Sequence, residues 1–208
     1  MDESLQFFKE IGSWLPATVV TAIILFLIKE ILELCRKRAE RARKKSAIKI
    51  LLAEELEKNH WTFVSMFRIL DSLKEAFEIY PHAVFWLHIA RNGSEHFRMK
   101  EEPEVEYDSG QPIPKYFTEM YEKLLPSLAE LDQSLFEVVR STYENIVELG
   151  HYRETLTDFL DGEALTSEPD LTKQFLSDFV NEKDDYYAEL NNGYKVLTGK
   201  ELKSWKLR

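Results

Sequence analysis

Apolar and polar positions change their rhythm several times along the chain. From Ile11 to Ile28 the sequence IGSWLPATVVTAIILFLI carries no charged side chain. Trp14 to Leu34 supplies the roughly 20 mostly apolar residues that a helix needs to cross a hydrocarbon core about 30 Å thick. The pattern predicts a transmembrane helix within residues 11–35, with Trp14 at the outer interface. Lys29, Glu30 and Glu33 fall near its inner end, where long side chains reach the headgroups. The leading MDESLQFFKE is acidic, and no A-x-A-like site follows the apolar run, so a cleaved signal peptide is not predicted.

From Ser46 to Pro81 the rhythm becomes helical. Leu52, Leu56, Asn59, Phe63, Met66, Leu70, Leu73, Phe77 and Tyr80 alternate by fours and threes, the seam of helices packed with a slight supercoil. Asn59 interrupts the seam. It sets register in an assembly of copies, or it bonds a neighbouring element at the edge of an intramolecular bundle; the second is the expectation. Asn59, Phe63, Met66, Leu70 and Phe77 are the candidate seam or interaction residues.

A short helix is predicted from Lys115 to Leu125, ending at Pro126. A long one follows, with Leu128, Leu131, Leu135, Val138, Thr142, Asn145, Leu149, Tyr152, Leu156 and Phe159 on one face and Gly150 as a point of bending or splitting. A further helix is expected to open near Ser167 in S-E-P-D and to close at Asn191-Asn192-Gly193. Its core face would be Leu171, Phe175, Phe179 or Val180, Tyr186 and Leu190.

Between Pro81 and Lys115 the pattern is irregular. Asn92-Gly93 between alternating apolar residues signals a hairpin near residues 83–100, with a short helix closed by Gly93 as the alternative. The acidic, turn-rich KEEPEVEYDSGQPIP reads as a structureless loop. The fold class is therefore all-α: one N-terminal transmembrane helix, then a cytosolic antiparallel helical bundle with a small hairpin.

Charge refines this picture. The net charge of −10 is strongly segregated. Residues 1–10 form a short acidic, extracytoplasmic terminus. Residues 36–49 form a basic collar at net +7, made by Arg36, Lys37, Arg38, Arg41, Arg43, Lys44, Lys45 and Lys49 against Glu40. Residues 50–194 are acidic, with 12 basic against 30 acidic side chains, and residues 195–208 are again basic at net +4. Lys and Arg beside a span stay on the cytoplasmic side, so the N-terminus is expected outside and the bundle inside, at the inner or plasma membrane. The collar would lie against an anionic inner leaflet, each basic side chain near the surface contributing about 1 kcal/mol. An acidic body disfavours nucleic acid, whose phosphates need a positive surface. The tail from Lys195, with Trp205 near its end, reads as an interfacial membrane contact, a segment docked on the acidic body, or a frayed terminus.

Candidate chemistry is sparse. Cys35 is alone, so no intramolecular disulfide forms and a reducing compartment fits. No phosphate-cradling or nucleophile-elbow motif occurs, no zinc or di-iron spacing is present, and no cofactor or metal is expected. Acidic pairs such as Glu54-Glu55 and Asp184-Asp185 read as solvated surface. The run R-N-G-S-E-H, Arg91 to His96, resembles the R-x4–6-H signature of HEPN-type ribonucleases. That resemblance implies Arg91 and His96 acting on an RNA phosphodiester, at a helix start, whereas Gly93 and Ser94 argue for a turn.

The expectation is a single-pass membrane protein, not an enzyme, whose cytosolic bundle binds protein partners or copies of itself as an adaptor or scaffold. An oligomeric membrane-perturbing effector of a bacterial defence or toxin system shares the layout. A HEPN-like ribonuclease is the third reading.

Overall fold

The computed structural model describes residues 16–80, 82–104, 106, 108–161 and 169–203. Among the described residues five helices and three strands follow in order: α1 (Ala17–Ile79), β1 (Val84–Ile89), β2 (Glu95–Lys100), β3 (Ser109–Pro112), α2 (Glu119–Leu131), α3 (Gln133–Asp161), α4 (Pro169–Asn181) and α5 (Lys183–Thr198). The chain divides into residues 1–47 and residues 48–208.

Helix α1 runs 63 residues without interruption. Neither Pro nor Gly occurs between Ala17 and Tyr80, so nothing breaks the backbone ladder across the apolar run, the collar and the seam. Pro16 stands just before it, its carbonyl accepting the Val19 N–H at 2.9 Å.

The predicted span of residues 11–35 needs correction. Among the described residues no helix is long and apolar enough to cross a membrane. Helix α1 opens at Ala17, and the uncharged run ends after Ile28, at Lys29 and Glu30. Those twelve residues rise about 18 Å, against a hydrocarbon core of about 30 Å. Ile11 to Leu15, Trp14 among them, lie outside the described residues, as does the acidic terminus 1–10.

In the second unit, the α1 seam is the spine of the core. Leu52, Leu56, Asn59, Phe63, Met66, Leu70 and Leu73 are buried, and Phe77 and Tyr80 are half-buried. One apolar cluster joins Ile48, Leu52 and Leu56 to Leu128, Leu135, Val139, Tyr143, Ile146, Leu190, Leu197 and Leu202. A second joins Phe63 to Ala76 with Phe85, Phe97, Leu149, Leu156, Leu160, Leu176 and Phe179, where Phe67 stacks on Phe179 at 4.8 Å.

The all-α expectation is incomplete: a three-stranded antiparallel sheet, ordered β1-β2-β3, packs into this second cluster. β1 and β2 form the hairpin expected near 83–100, pairing Phe85 with Met99 and Leu87 with Phe97. Gly93 closes it at φ 78°, a left-handed conformation that favours glycine. β3 arises within the segment read as structureless. It pairs Phe97 with Gln111 and Met99 with Ser109, and it is short and ends in Pro112, as edge strands do.

Three helix boundaries also differ from expectation. Pro126 lies inside α2, and the break falls at Asp132, whose carboxylate accepts the Leu135 N–H at 3.0 Å and so opens α3. Gly150 does not split α3. The last predicted helix is two, divided at Glu182, and α5 passes through Asn191-Asn192-Gly193 to end at Gly199, φ 73°. Gly193 is there because α5 crosses α3 closely: a Cβ at 193 would stand 2.4 Å from Thr142 Oγ1. The expected cap at Ser167 lies outside the described residues. Leu171, assigned to the core face, is exposed, and Thr172 and Leu176 are buried in its place.

Candidate functional site

Two arrangements gather the candidate residues, one in each unit. In the first, α1 presents Val19, Ile23, Ile24, Leu25, Phe26, Leu27, Ile28, Ile31, Leu32 and Leu34 to solvent. Consecutive residues of a helix point 100° apart, so from Val19 to Ile28 the run is exposed around the whole circumference, and beyond it Lys29, Glu30 and Glu33 form a polar stripe on one side. The collar follows on the same helix. Arg36, Lys37, Arg38, Arg41, Arg43 and Lys44 are exposed and Lys45 half-exposed. Glu40 accepts from Arg36 at 3.4 Å and Glu33 from Lys37 at 2.8 Å. The hydrogen bond with Lys37 holds the Glu33 carboxyl below its ordinary range, and that with Glu33 raises Lys37. Cys35 is exposed among these residues.

In the second unit, three polar side chains of α1 grip the extended segment that leads from β3 to α2 and the first turn of α2 itself. Thr62 Oγ1 donates to the Lys115 carbonyl at 3.2 Å. Asn59 pairs with the Phe117 backbone in both directions, accepting its N–H at 2.7 Å and donating to its carbonyl at 2.8 Å. Glu55 accepts the Met120 and Tyr121 N–H groups at 2.8 and 3.1 Å and the Tyr143 hydroxyl at 2.8 Å. Positions 55, 59 and 62 are spaced by four and three, so they lie on one stripe of the helix. Glu55 thereby caps α2 from another element, since Thr118 provides no side-chain cap of its own. Only 3% of Glu55 is exposed, which overturns its reading as solvated surface. Burial first, then the Glu55 charge, pushes the Tyr143 hydroxyl well above its ordinary value, keeping it a donor.

From the other side, Arg153 of α3 donates to the Pro114 carbonyl at 2.9 Å and to Glu95 of β2, and Lys115 lies 3.7 Å from the same carboxylate. Buried His60 lies beside this stripe, its ring 5.7 Å from that of Tyr187, with no partner at Nδ1. Burial lowers its pKa.

Asn59 therefore bonds an intramolecular partner, an extended segment where a helix was expected. Phe63, Met66 and Leu70 are buried in the folded chain, and Phe77 is half-buried at the edge of the same cluster. Arg91 sits exposed in the hairpin turn and His96 on β2, its Nε2 3.2 Å from Ser94 Oγ. The helix start that the ribonuclease signature requires is replaced by a turn, with Asn92 Oδ1 accepting the Ser94 N–H at 3.0 Å. Among the described residues no group of three or more His, Cys, Asp or Glu is placed to hold a metal.

Sequence reasoning missed Glu55, Thr62 and Arg153. The signal for the first two was positional: the helical period puts them on the buried side of the seam, next to Leu52, Leu56 and Phe63.

No protein family matches the chain, and neither does any curated protein or solved structure.

Proposed function

We propose that the chain is an interaction module held against an anionic membrane by the first half of α1, with its acidic bundle in the cytosol recruiting protein partners. The observation that carries this reading is the exposed apolar run from Val19 to Ile28, continued by exposed Ile31, Leu32 and Leu34 and followed by the collar on the same helix. Apolar surface exposed around a whole helix favours a surrounding apolar medium over one groove on one partner. Cations placed next to it add on the order of 1 kcal/mol each against anionic headgroups, within a Debye length of about 8 Å. The buried polar stripe supports the module half of the reading, because it makes the bundle a rigid body.

Flotation of the full chain with vesicles tests it. The chain is expected to rise with vesicles containing anionic lipid, and a variant carrying Gln at Arg36, Lys37, Arg38 and Arg41 to rise less, more so at low salt. Full-length protein that stays at the bottom of the gradient with anionic vesicles refutes the reading.

A second reading, the self-assembling membrane-perturbing effector, is favoured by a shallow groove along α1 lined by Thr18, Val19, Ala22, Ile23 and Phe26. Thr18 and Ala22, four apart, permit close approach of a second helix. Molecular mass in detergent separates the two: a monomer supports the adaptor, a defined oligomer the effector.

A further inference from the structure

The acidic bundle carries a basic, partly apolar end of its own, and the C-terminal segment builds it. After Gly199 the chain turns back, and the Leu202 N–H donates to Asn191 Oδ1 at 2.8 Å. Leu202 is then buried in one cluster with Ile48 and Leu197. Lys49, the last residue of the collar, donates to the Val196 carbonyl at 3.0 Å, in the final turn of α5. These contacts bring residues 48–51 and 195–203, far apart in sequence, to one end of the bundle.

That end is distinctive in two independent ways. Its cations are Lys49, Lys195, Lys200 and Lys203; of the acids there, Glu201 is engaged by Lys195 at 3.3 Å, and Asp132, in the α2–α3 turn whose Leu131 and Leu135 join the same cluster, accepts the Leu135 N–H at 3.0 Å. Next to them Ile50, Leu51 and Val196 are exposed, Ile50 at 57%. Apolar side chains interleaved with lysines on a body that is otherwise strongly acidic are the composition of a surface that lies in the headgroup region of a membrane. Docking of the tail along the acidic body is disfavoured, because Leu202 ties it at the basic end.

We infer that this end of the bundle is a second contact for anionic phospholipid, formed by Lys49, Lys200 and Lys203 with Ile50, Leu51 and Val196. It sets the bundle end-on to the bilayer. The inference rests on the membrane association proposed above and adds to it a tail that reads lipid charge.

The test uses the full chain with Cys35→Ser and an environment-sensitive fluorophore on a cysteine placed at Ser204, beside Lys203. A matched protein carries the label at Ile79, 30 residues beyond Lys49 on α1 and so about 45 Å along the helix. Both are bound to vesicles of neutral lipid, or of neutral lipid with anionic phosphatidylglycerol, each doped with a lipid-borne quencher. Quenching at 204 is expected with anionic vesicles, weakened by salt and lost on Lys200→Gln/Lys203→Gln substitution, with label 79 unquenched throughout. Vesicle-bound protein whose label at 204 stays unquenched overturns the tail contact alone. Equal quenching on neutral vesicles overturns recognition of charge, and quenching at both labels overturns the end-on placement. Protein that binds neither vesicle overturns the membrane reading and this inference with it.

Discussion

Replacing Glu55 by Gln puts the buried stripe to its sharpest test. The carboxylate serves three donors: Oε1 accepts the Tyr121 N–H and the Tyr143 hydroxyl, and Oε2 accepts the Met120 N–H. A glutamine keeps the shape but offers a single acceptor oxygen. If that oxygen stays with Tyr121 and Tyr143, the new amide N–H₂ faces the Met120 N–H, donor against donor. The loss is one charge-assisted hydrogen bond, about 1.5–3 kcal/mol, together with the favourable charge at the N-terminus of α2, about 0.3–1 kcal/mol. The sum, about 2–4 kcal/mol, falls within the usual stability of a small domain, so the variant is expected to fold.

The measurement is urea unfolding of the full chain in mild detergent, followed by tryptophan fluorescence and far-UV circular dichroism. With a slope of about 2 kcal/mol per molar urea, the midpoint should fall by about 1–2 M at unchanged slope. Tyr143→Phe removes one of the three donors to the same carboxylate and should cost about 1.5–3 kcal/mol. The double variant should lose less than the two single losses added, because both act on one carboxylate. A Glu55→Gln midpoint equal to that of the parent, or strict additivity with Tyr143→Phe, would refute a buried carboxylate cap.

Four further outcomes are expected. Burial depresses the His60 pKa in the folded chain, so between the folded value and the ordinary value of about 6.5 the unfolded state binds more protons. Its contribution is therefore intact above pH 6.5 and lost as pH falls through the folded value; thermal melts of the parent between pH 7.5 and 5 should show this decline, and His60→Phe should reduce it. Gly193→Ala should destabilise by about 1–3 kcal/mol, since its Cβ would meet Thr142 Oγ1 at 2.4 Å and Cγ2 at 2.7 Å, and Thr142→Ala in the same chain should recover part of that loss in calorimetry. Gly150→Ala should raise the melting temperature, because nothing lies within 4 Å of the added Cβ in mid-helix and alanine favours helix by about 1 kcal/mol. Asn59→Leu should lower the melting temperature by removing both bonds to Phe117, while the mass seen by light scattering stays that of the parent.

What the sequence disclosed follows from which forces act locally. The α1 seam was legible because burial of apolar side chains imposes a period that nothing else produces, and Leu52 to Leu73 keep it without a break. The hairpin was legible because Asn92-Gly93 meets a backbone requirement at one spot. Boundaries governed by partners distant in sequence were not. Gly193 carries the sign of a helix end, but contact with Thr142 overrides it. β3 has too little β propensity to announce itself and exists because β2 offers it an edge. Glu55, Asn59 and Thr62 are polar, and nothing nearby in sequence says that the extended segment 113–118 and the first turn of α2 will cover them.

The segregation of charge turns these pieces into one electrostatic argument. An acidic body is repelled by an anionic leaflet, and by itself that repulsion selects no orientation beyond keeping the body away. Placing the exposed lysines of the tail beside Lys49 at one end of the bundle gives the body an axis: attraction at that end, repulsion elsewhere, both acting over a Debye length of about 8 Å. On the membrane reading, the acidic flanks then face away from the lipid. A partner recruited to them would carry a basic surface, and its binding would weaken with salt, as would the tail's hold on the membrane. Apolar burial of the first half of α1 in lipid would not weaken in this way. Salt thus separates the apolar anchor from the charge-driven contacts: raising it should release the partner and the tail and weaken the collar's hold, while the chain stays on the membrane.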